Sequence, residues 1–148
     1  MRLHTKLLFV LLAAMLPATV WALDFRSVNV PKAVLFDAPS AQANKRFIVT
    51  QYYPLEVIVN LGNWIKVRDA SGELAWIEAE QLSEQRTVLV MVDQAEVHAS
   101  ADASSKLVFT AEKDVALELL EPAASGWVKV RHRNGMTGYI KSSEVWGL

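Results

Sequence analysis

An internal duplication constrains this chain more than any other feature. Gly62-Asn63-Trp64-Ile65-Lys66-Val67-Arg68, followed by Asp69-Ala70-Ser71-Gly72 and Trp76-Ile77, returns as Gly126-Trp127-Val128-Lys129-Val130-Arg131, then Asn134-Gly135, then Tyr139-Ile140. The stretch from Trp64 to Ile77 aligns on Trp127 to Ile140 without a gap, with Trp, Lys, Val, Arg, Gly and Ile identical. Ile65/Val128, Ala75/Gly138 and Trp76/Tyr139 are near-equivalents. Within each copy Lys and Arg alternate with Ile or Val, the period-two pattern of a strand with one face buried. A Gly turn and a second short apolar strand complete a hairpin, so each copy marks one module.

The rest of the chain falls into the same two halves. Ala33-Val34-Leu35-Phe36 corresponds to Ala95-Glu96-Val97-His98, and Phe47-Ile48-Val49 to Leu107-Val108-Phe109. Leu55 to Asn60 is rich in β-branched residues. It corresponds to Val115 to Leu120, a run that read alone also fits a helical turn but that the repeat assigns to a strand. Glu78 to Glu84 is polar and long enough for one helical turn, and Val145 to Leu148 is an apolar tail expected to pack. Asn134-Gly135 is the dipeptide preferred in a type I′ two-residue hairpin turn. About five short strands in each half, with frequent turn signals, give an all-β chain of two small barrels or sandwiches. A module of this size has a marginal core, which favours packing of one half on the other.

The N-terminus has a different character. Arg2, His4 and Lys6 precede the apolar run Leu7 to Leu16, Pro17 breaks it, and Ala18 to Ala22 offers a small-residue cleavage site. This is the layout of a secretory signal peptide over residues 1–22, leaving modules over 23–84 and 85–148. The run is shorter than the about 20 apolar residues a membrane helix needs. The remainder is expected to be exported, periplasmic or extracellular, with no membrane span after signal cleavage. Its loss removes two cations and no acid, so the remaining chain is more acidic than the formal −1 of the whole. That balance excludes a nucleic-acid binder, which carries a basic excess on one face.

The chemistry available is limited. There are no cysteines, which removes thiol nucleophiles, cysteine zinc sites and disulfides. Of three histidines, His4 lies in the export segment, and His98 and His132 form no metal-binding motif. No nucleophile elbow, phosphate loop or dinucleotide fingerprint is present. The expectation is a protein that is not an enzyme, with no catalytic residues, no metal and no cofactor. The candidates for ligand binding are aromatic and basic: Trp64, Trp76, Tyr53, Trp127 and Tyr139, with Lys129 and Arg131. Such rings stack on sugars or line peptide grooves. They also suit the packing of a small barrel, and the sequence leaves groove and core both open. Lys129, Arg131 and Arg133 alternate along one strand face, as a contact for an anionic polymer or as an ordinary solvated face.

Taken together, Gly-Trp-x-Lys-Val, a Gly turn and Gly-Tyr-Ile resemble the bacterial SH3-like (SH3b) domain. The second copy carries the pattern at Gly126, Trp127, Lys129, Val130, Gly135, Gly138, Tyr139 and Ile140. The first departs from it at Asn63 and Ala75, and neither copy has the family's frequent Asn-Val-Arg-x-Gly-Pro strand. The resemblance implies two tandem SH3-like β-barrels in an exported bacterial protein that binds cell-wall peptide or glycan. The partner would be a cell-wall polymer, or, on the competing reading, an envelope protein whose extended segment lies in the same grooves.

Overall fold

In the computed structural model, which describes residues 22–148, the duplication in sequence is a duplication of topology. The first half consists of β1 (Phe25–Val28), β2 (Lys32–Phe36), β3 (Lys45–Thr50), β4 (Pro54–Asn60), β5 (Trp64–Arg68), β6 (Leu74–Glu78) and β7 (Leu82–Ser83). The second consists of β8 (Thr87–Val90), β9 (Gln94–His98), β10 (Leu107–Glu112), β11 (Ala116–Leu119), β12 (Trp127–Arg131), β13 (Thr137–Lys141) and β14 (Val145–Trp146). Each half is one 7-stranded antiparallel sheet, ordered β3-β2-β6-β5-β4-β1-β7 and β10-β9-β13-β12-β11-β8-β14. The export segment expected over 1–22 lies outside the described residues apart from Ala22.

The all-β expectation holds, with two strands more in each half than the sequence suggested. The additions include β7 and β14, two-residue strands that follow 3₁₀ turns at Ala79–Gln81 and Ser142–Glu144 and pair with β1 and β8. Two residues are too few to carry a periodicity. The run from Val115 to Leu120 contains strand β11 (Ala116–Leu119), as the repeat implied, and the apolar tail packs as β14.

The turn expectation fails in an informative way. At the β12–β13 turn the Gly135 N–H donates to the His132 carbonyl, and Gly135 has φ +91° while Asn134 stays at negative φ. The hairpin therefore closes through a turn of the type I class followed by a left-handed glycine, not a type I′ turn. Asp69 and Gly72 make the same arrangement in the first half. The I′ pattern occurs instead between β11 and β12, where Ser125 and Gly126 have φ 52° and 84°.

Period-two alternation builds the cores. In β5 and β6, Ile65 stands opposite Ile77 and Val67 opposite Ala75, and all four are buried. With Val28, Leu35 and Leu55 they form the first core. Val128, Val130 and Ile140, with Val88, Val97 and Leu117, form the second.

The two halves are packed together, and β8 shows how. All four of its residues are buried. Val88 and Val90 point into the second core, whereas Thr87 and Leu89 point the other way, against the first half. Thr87 Oγ1 donates to the Tyr52 carbonyl at 2.7 Å. Phe25, on the outer face of β1, meets Trp146 edge-on at 5.0 Å, and the Arg86 guanidinium lies 5.4 Å over the Phe25 ring while donating to the Gly147 carbonyl at 2.8 Å. Arg133 lies 4.9 Å over the Tyr52 ring and donates to the Gln51 carbonyl at 3.3 Å. Each half thus covers an apolar face that the other would leave in water.

Candidate functional site

The faces opposite the cores carry the candidate residues. Because directly opposed residues in an antiparallel ladder share a face, the β5–β6 register places Lys66 beside Trp76 and Trp64 beside Glu78. The β2–β6 register adds Phe36 on the other side of Trp76. Phe36, Trp76 and Lys66 therefore stand abreast, with Trp64 one pair further along. The Lys66 ammonium lies 5.9 Å from the Trp76 ring, and Phe36 meets Trp64 edge-on at 5.6 Å.

The second half repeats the arrangement with different side chains. His98, Tyr139 and Lys129 stand abreast, with Trp127 beyond. The Lys129 ammonium is 6.0 Å from the Tyr139 ring, and His98 meets Trp127 edge-on at 5.9 Å. Each cation–aromatic contact at such half-exposed sites is worth about 0.5–1 kcal/mol, a modest bias toward the side-by-side arrangement.

These rings are neither core nor free surface. Trp64, Trp76, Trp127 and Tyr139 are half-buried and belong to neither hydrophobic core. Phe36 and His98 are buried floor residues at 7% and 6% exposure. His98 is held at both nitrogens, with Nδ1 3.0 Å from the Ser105 carbonyl and Nε2 3.2 Å from a Glu96 carboxylate oxygen. A carbonyl only accepts, so Nδ1 carries a hydrogen there. The sequence candidates omitted Phe36 and His98, although the repeat aligned them with one another.

Two other candidates lie elsewhere. Tyr53 packs against the first core, and its hydroxyl accepts the Ala70 N–H at 3.3 Å. Burial pushes its pKa up, and the nearby Asp69 and Asp114 carboxylates push it the same way, against the lowering effect of the Ala70 bond. Arg131 grips Glu118 at 2.7 Å. Tyr53 and Arg131 line two neighbouring cavities between the halves, not the strips. Nor do the three basic residues form a continuous cationic face. Lys129 pairs with Glu121 at 3.3 Å, Arg131 with Glu118, and Arg133 with the Tyr52 ring.

Among the described residues no group of three or more His, Asp or Glu side chains could hold a metal ion, and no helix is long and apolar enough to cross a membrane.

Two tandem copies of a small antiparallel β-module, each with an aromatic–cationic strip on its outer face, define the class. The family described as Bacterial SH3 domain matches residues 29–84 and again 92–147, and the chain belongs to that family. No curated protein matches it. Among solved structures, NlpC2 from Trichomonas vaginalis is similar at 12% identity and TM-score 0.39, over 84% of this chain and 48% of that one. NlpC1 from the same organism is similar at 14% identity and TM-score 0.39, over 86% and 47%. An NlpC/P60 family protein from Bacillus cereus is similar at 15% identity and TM-score 0.38, over 82% and 55%. This chain therefore spans about half the length of those structures.

Proposed function

We propose that this chain is an exported, non-enzymatic tandem binding module of the bacterial envelope, with an export signal over 1–22 and binding domains over 23–84 and 85–148. The ligand on this reading is cell-wall peptide or glycan. It is held by stacking on Trp64 and Trp76 in one domain and on Trp127 and Tyr139 in the other, with Lys66 and Lys129 oriented beside them.

The observation that carries the proposal is the recurrence of the half-exposed strip at equivalent places in both copies. Rings that served only the core would be covered, and these are half-exposed beside a cation in both copies, where the pair Trp76/Tyr139 changes ring type but keeps the arrangement. Large flat rings at partial exposure suit ligands that present an apolar face and polar edges, which sugars and short peptides do. Two weak sites on one chain gain by avidity on a polymer.

Co-sedimentation of residues 23–148 with isolated cell-wall sacculi tests this. Binding that persists when salt is raised supports recognition by the rings, because contacts between exposed charges are screened. Binding abolished by salt leaves only a nonspecific charge contact and defeats the proposal.

A further inference from the structure

The repeat separates residues that both modules need from residues that only one carries. Along the aligned stretch, His132 stands where the first copy has Asp69, and Arg133 where it has Ala70. The β3–β4 and β10–β11 turns are equivalent too: Tyr52 donates its N–H to the Val28 carbonyl as Asp114 does to that of Val90, and both have φ near +70°, at 70° and 68°. Tyr52 and Tyr53 thus stand where the second copy has Asp114 and Val115. These copy-specific residues are far apart in sequence, yet they converge on the cleft between the domains.

Part of that cleft is unfilled. A cavity of about 270 Å³ is lined by Tyr52, Gln85, Thr87, His132 and Arg133, with the Arg131–Glu118 pair at its wall. Cavities between domains are frequent ligand sites, and this volume is just under their usual range, which suits a small ligand. The shared turn sets Tyr52 in the left-handed region, as it does Asp114 in the second copy, and so fixes where the Tyr52 ring leaves the backbone.

The polar groups have one sign. Glu118 is occupied by Arg131 at 2.9 and 2.7 Å. Arg133 uses one nitrogen on the Gln51 carbonyl, and its other N–H groups have no protein acceptor among the described residues. The Asn134 N–H donates to His132 Nδ1 at 3.3 Å, so the neutral ring carries its hydrogen on Nε2, which likewise has no protein acceptor among the described residues. Asp114 lines the adjoining cavity of about 380 Å³, which His132 and Arg133 also border, and it makes no ion pair with either.

We propose that the interdomain cleft is a second binding site, distinct from the strips, that takes a carboxylate with a small apolar group beside it. Arg133 and His132 Nε2–H donate to the carboxylate, and the Tyr52 ring and Ala116 cover the apolar part. A free amino-acid-sized acid and the C-terminal carboxylate of a peptide share this chemistry.

The test is a titration of residues 23–148 with N-acetylalanine, N-acetylalaninamide and Ala-Ala-Ala, followed by amide and side-chain NMR shifts. The expected result is saturable shifts confined to the cleft with the two carboxylates and none with the amide. N-acetylalanine binding alone, or tighter than the tripeptide, assigns the site to small acids, and the reverse order assigns it to peptide termini. Arg133→Gln and His132→Phe should each weaken binding by about tenfold or more, the scale of one lost charge-assisted contact, while a change at the exposed Ile48, Ile48→Ser, leaves it unchanged. Arg133 also contacts the first domain, so His132→Phe, which keeps an aromatic ring against Phe109, separates ligand contact from domain packing. Equal shifts with acid and amide, no saturation, or wild-type affinity in His132→Phe would overturn the proposal.

Discussion

At the residue scale, Gly138 is decided by space and not by φ. A Cβ there would sit 2.6 Å from the His98 carbonyl oxygen and 2.7 Å from a Val97 methyl. The obstructing oxygen belongs to the backbone of β9 and cannot rotate away. Gly138→Ala should therefore destabilise the second domain by about 1–3 kcal/mol, the usual cost of overpacking, and shift the His98 resonances. An unfolding midpoint unchanged in denaturant would contradict this. The first copy carries Ala75 at the same position at 2% exposure, which the sequence displayed as a departure from the family pattern without revealing how tightly Gly138 is packed.

Tyr53 sets a prediction in pH. Burial raises its folded pKa above the ordinary tyrosine value. Above pH about 10 an unfolded tyrosine loses its proton while the folded one keeps it, so the unfolded state binds fewer protons and stability falls as pH rises. Below the unfolded pKa this contribution is fully present, and it is lost as pH climbs through the folded value. Tyr53→Phe should flatten the alkaline limb of the stability curve from about pH 10 upward, where the unfolded tyrosine begins to lose its proton. It should also lower stability at neutral pH by about 1 kcal/mol, because the Ala70 N–H loses its acceptor. An unaltered alkaline slope would show that Tyr53 is not the group responsible.

At the scale of elements, alternation made the hairpins legible and turn chemistry did not. Ile65, Val67, Val128 and Val130 were readable as inward residues because their neighbours are charged, and each is buried at 1% or less. Asn134-Gly135 misled because the same dipeptide serves both a two-residue turn and the end of a longer one, and only the hydrogen bond from Gly135 to His132 distinguishes them. Strand β8 is buried on both faces. Leu89, at 2% exposure and outside the second core, is covered by the other domain, and no local pattern announces that. Leu89→Ala should consequently cost about 2–5 kcal/mol, like a core leucine, and separate one thermal transition into two. A loss below about 0.5 kcal/mol, the range of exposed positions, would mean that the domains do not depend on this contact.

For the whole molecule, the two domains are joined by different kinds of contact on different faces. Phe25 against Trp146, Arg86 over Phe25, and Thr87 on the Tyr52 carbonyl all use residues that the repeat does not duplicate. The sequence showed two modules because duplication leaves identical letters. It did not show how they meet, because the interface is built from residues that diverged. The same holds for the candidate sites: Trp64, Trp76, Trp127 and Tyr139 were legible as paired letters, whereas Phe36 and His98, paired in position but unlike in chemistry, were not. Tyr53 and Arg131 were chosen for their type, and their place in the interdomain cleft follows only from the packing of two sheets.

If the paired strips bind while the cores fold, the double variant Trp76→Ala/Tyr139→Ala separates the two properties. Both side chains are half-buried and outside the cores, so circular dichroism and the unfolding midpoint should stay close to those of the parent chain. Binding to sacculi, measured on the same samples, should weaken by at least about 30-fold, the scale of losing an interface residue worth about 2 kcal/mol. A folded double variant that sediments with sacculi as the parent chain does would rule the strips out as the binding surface.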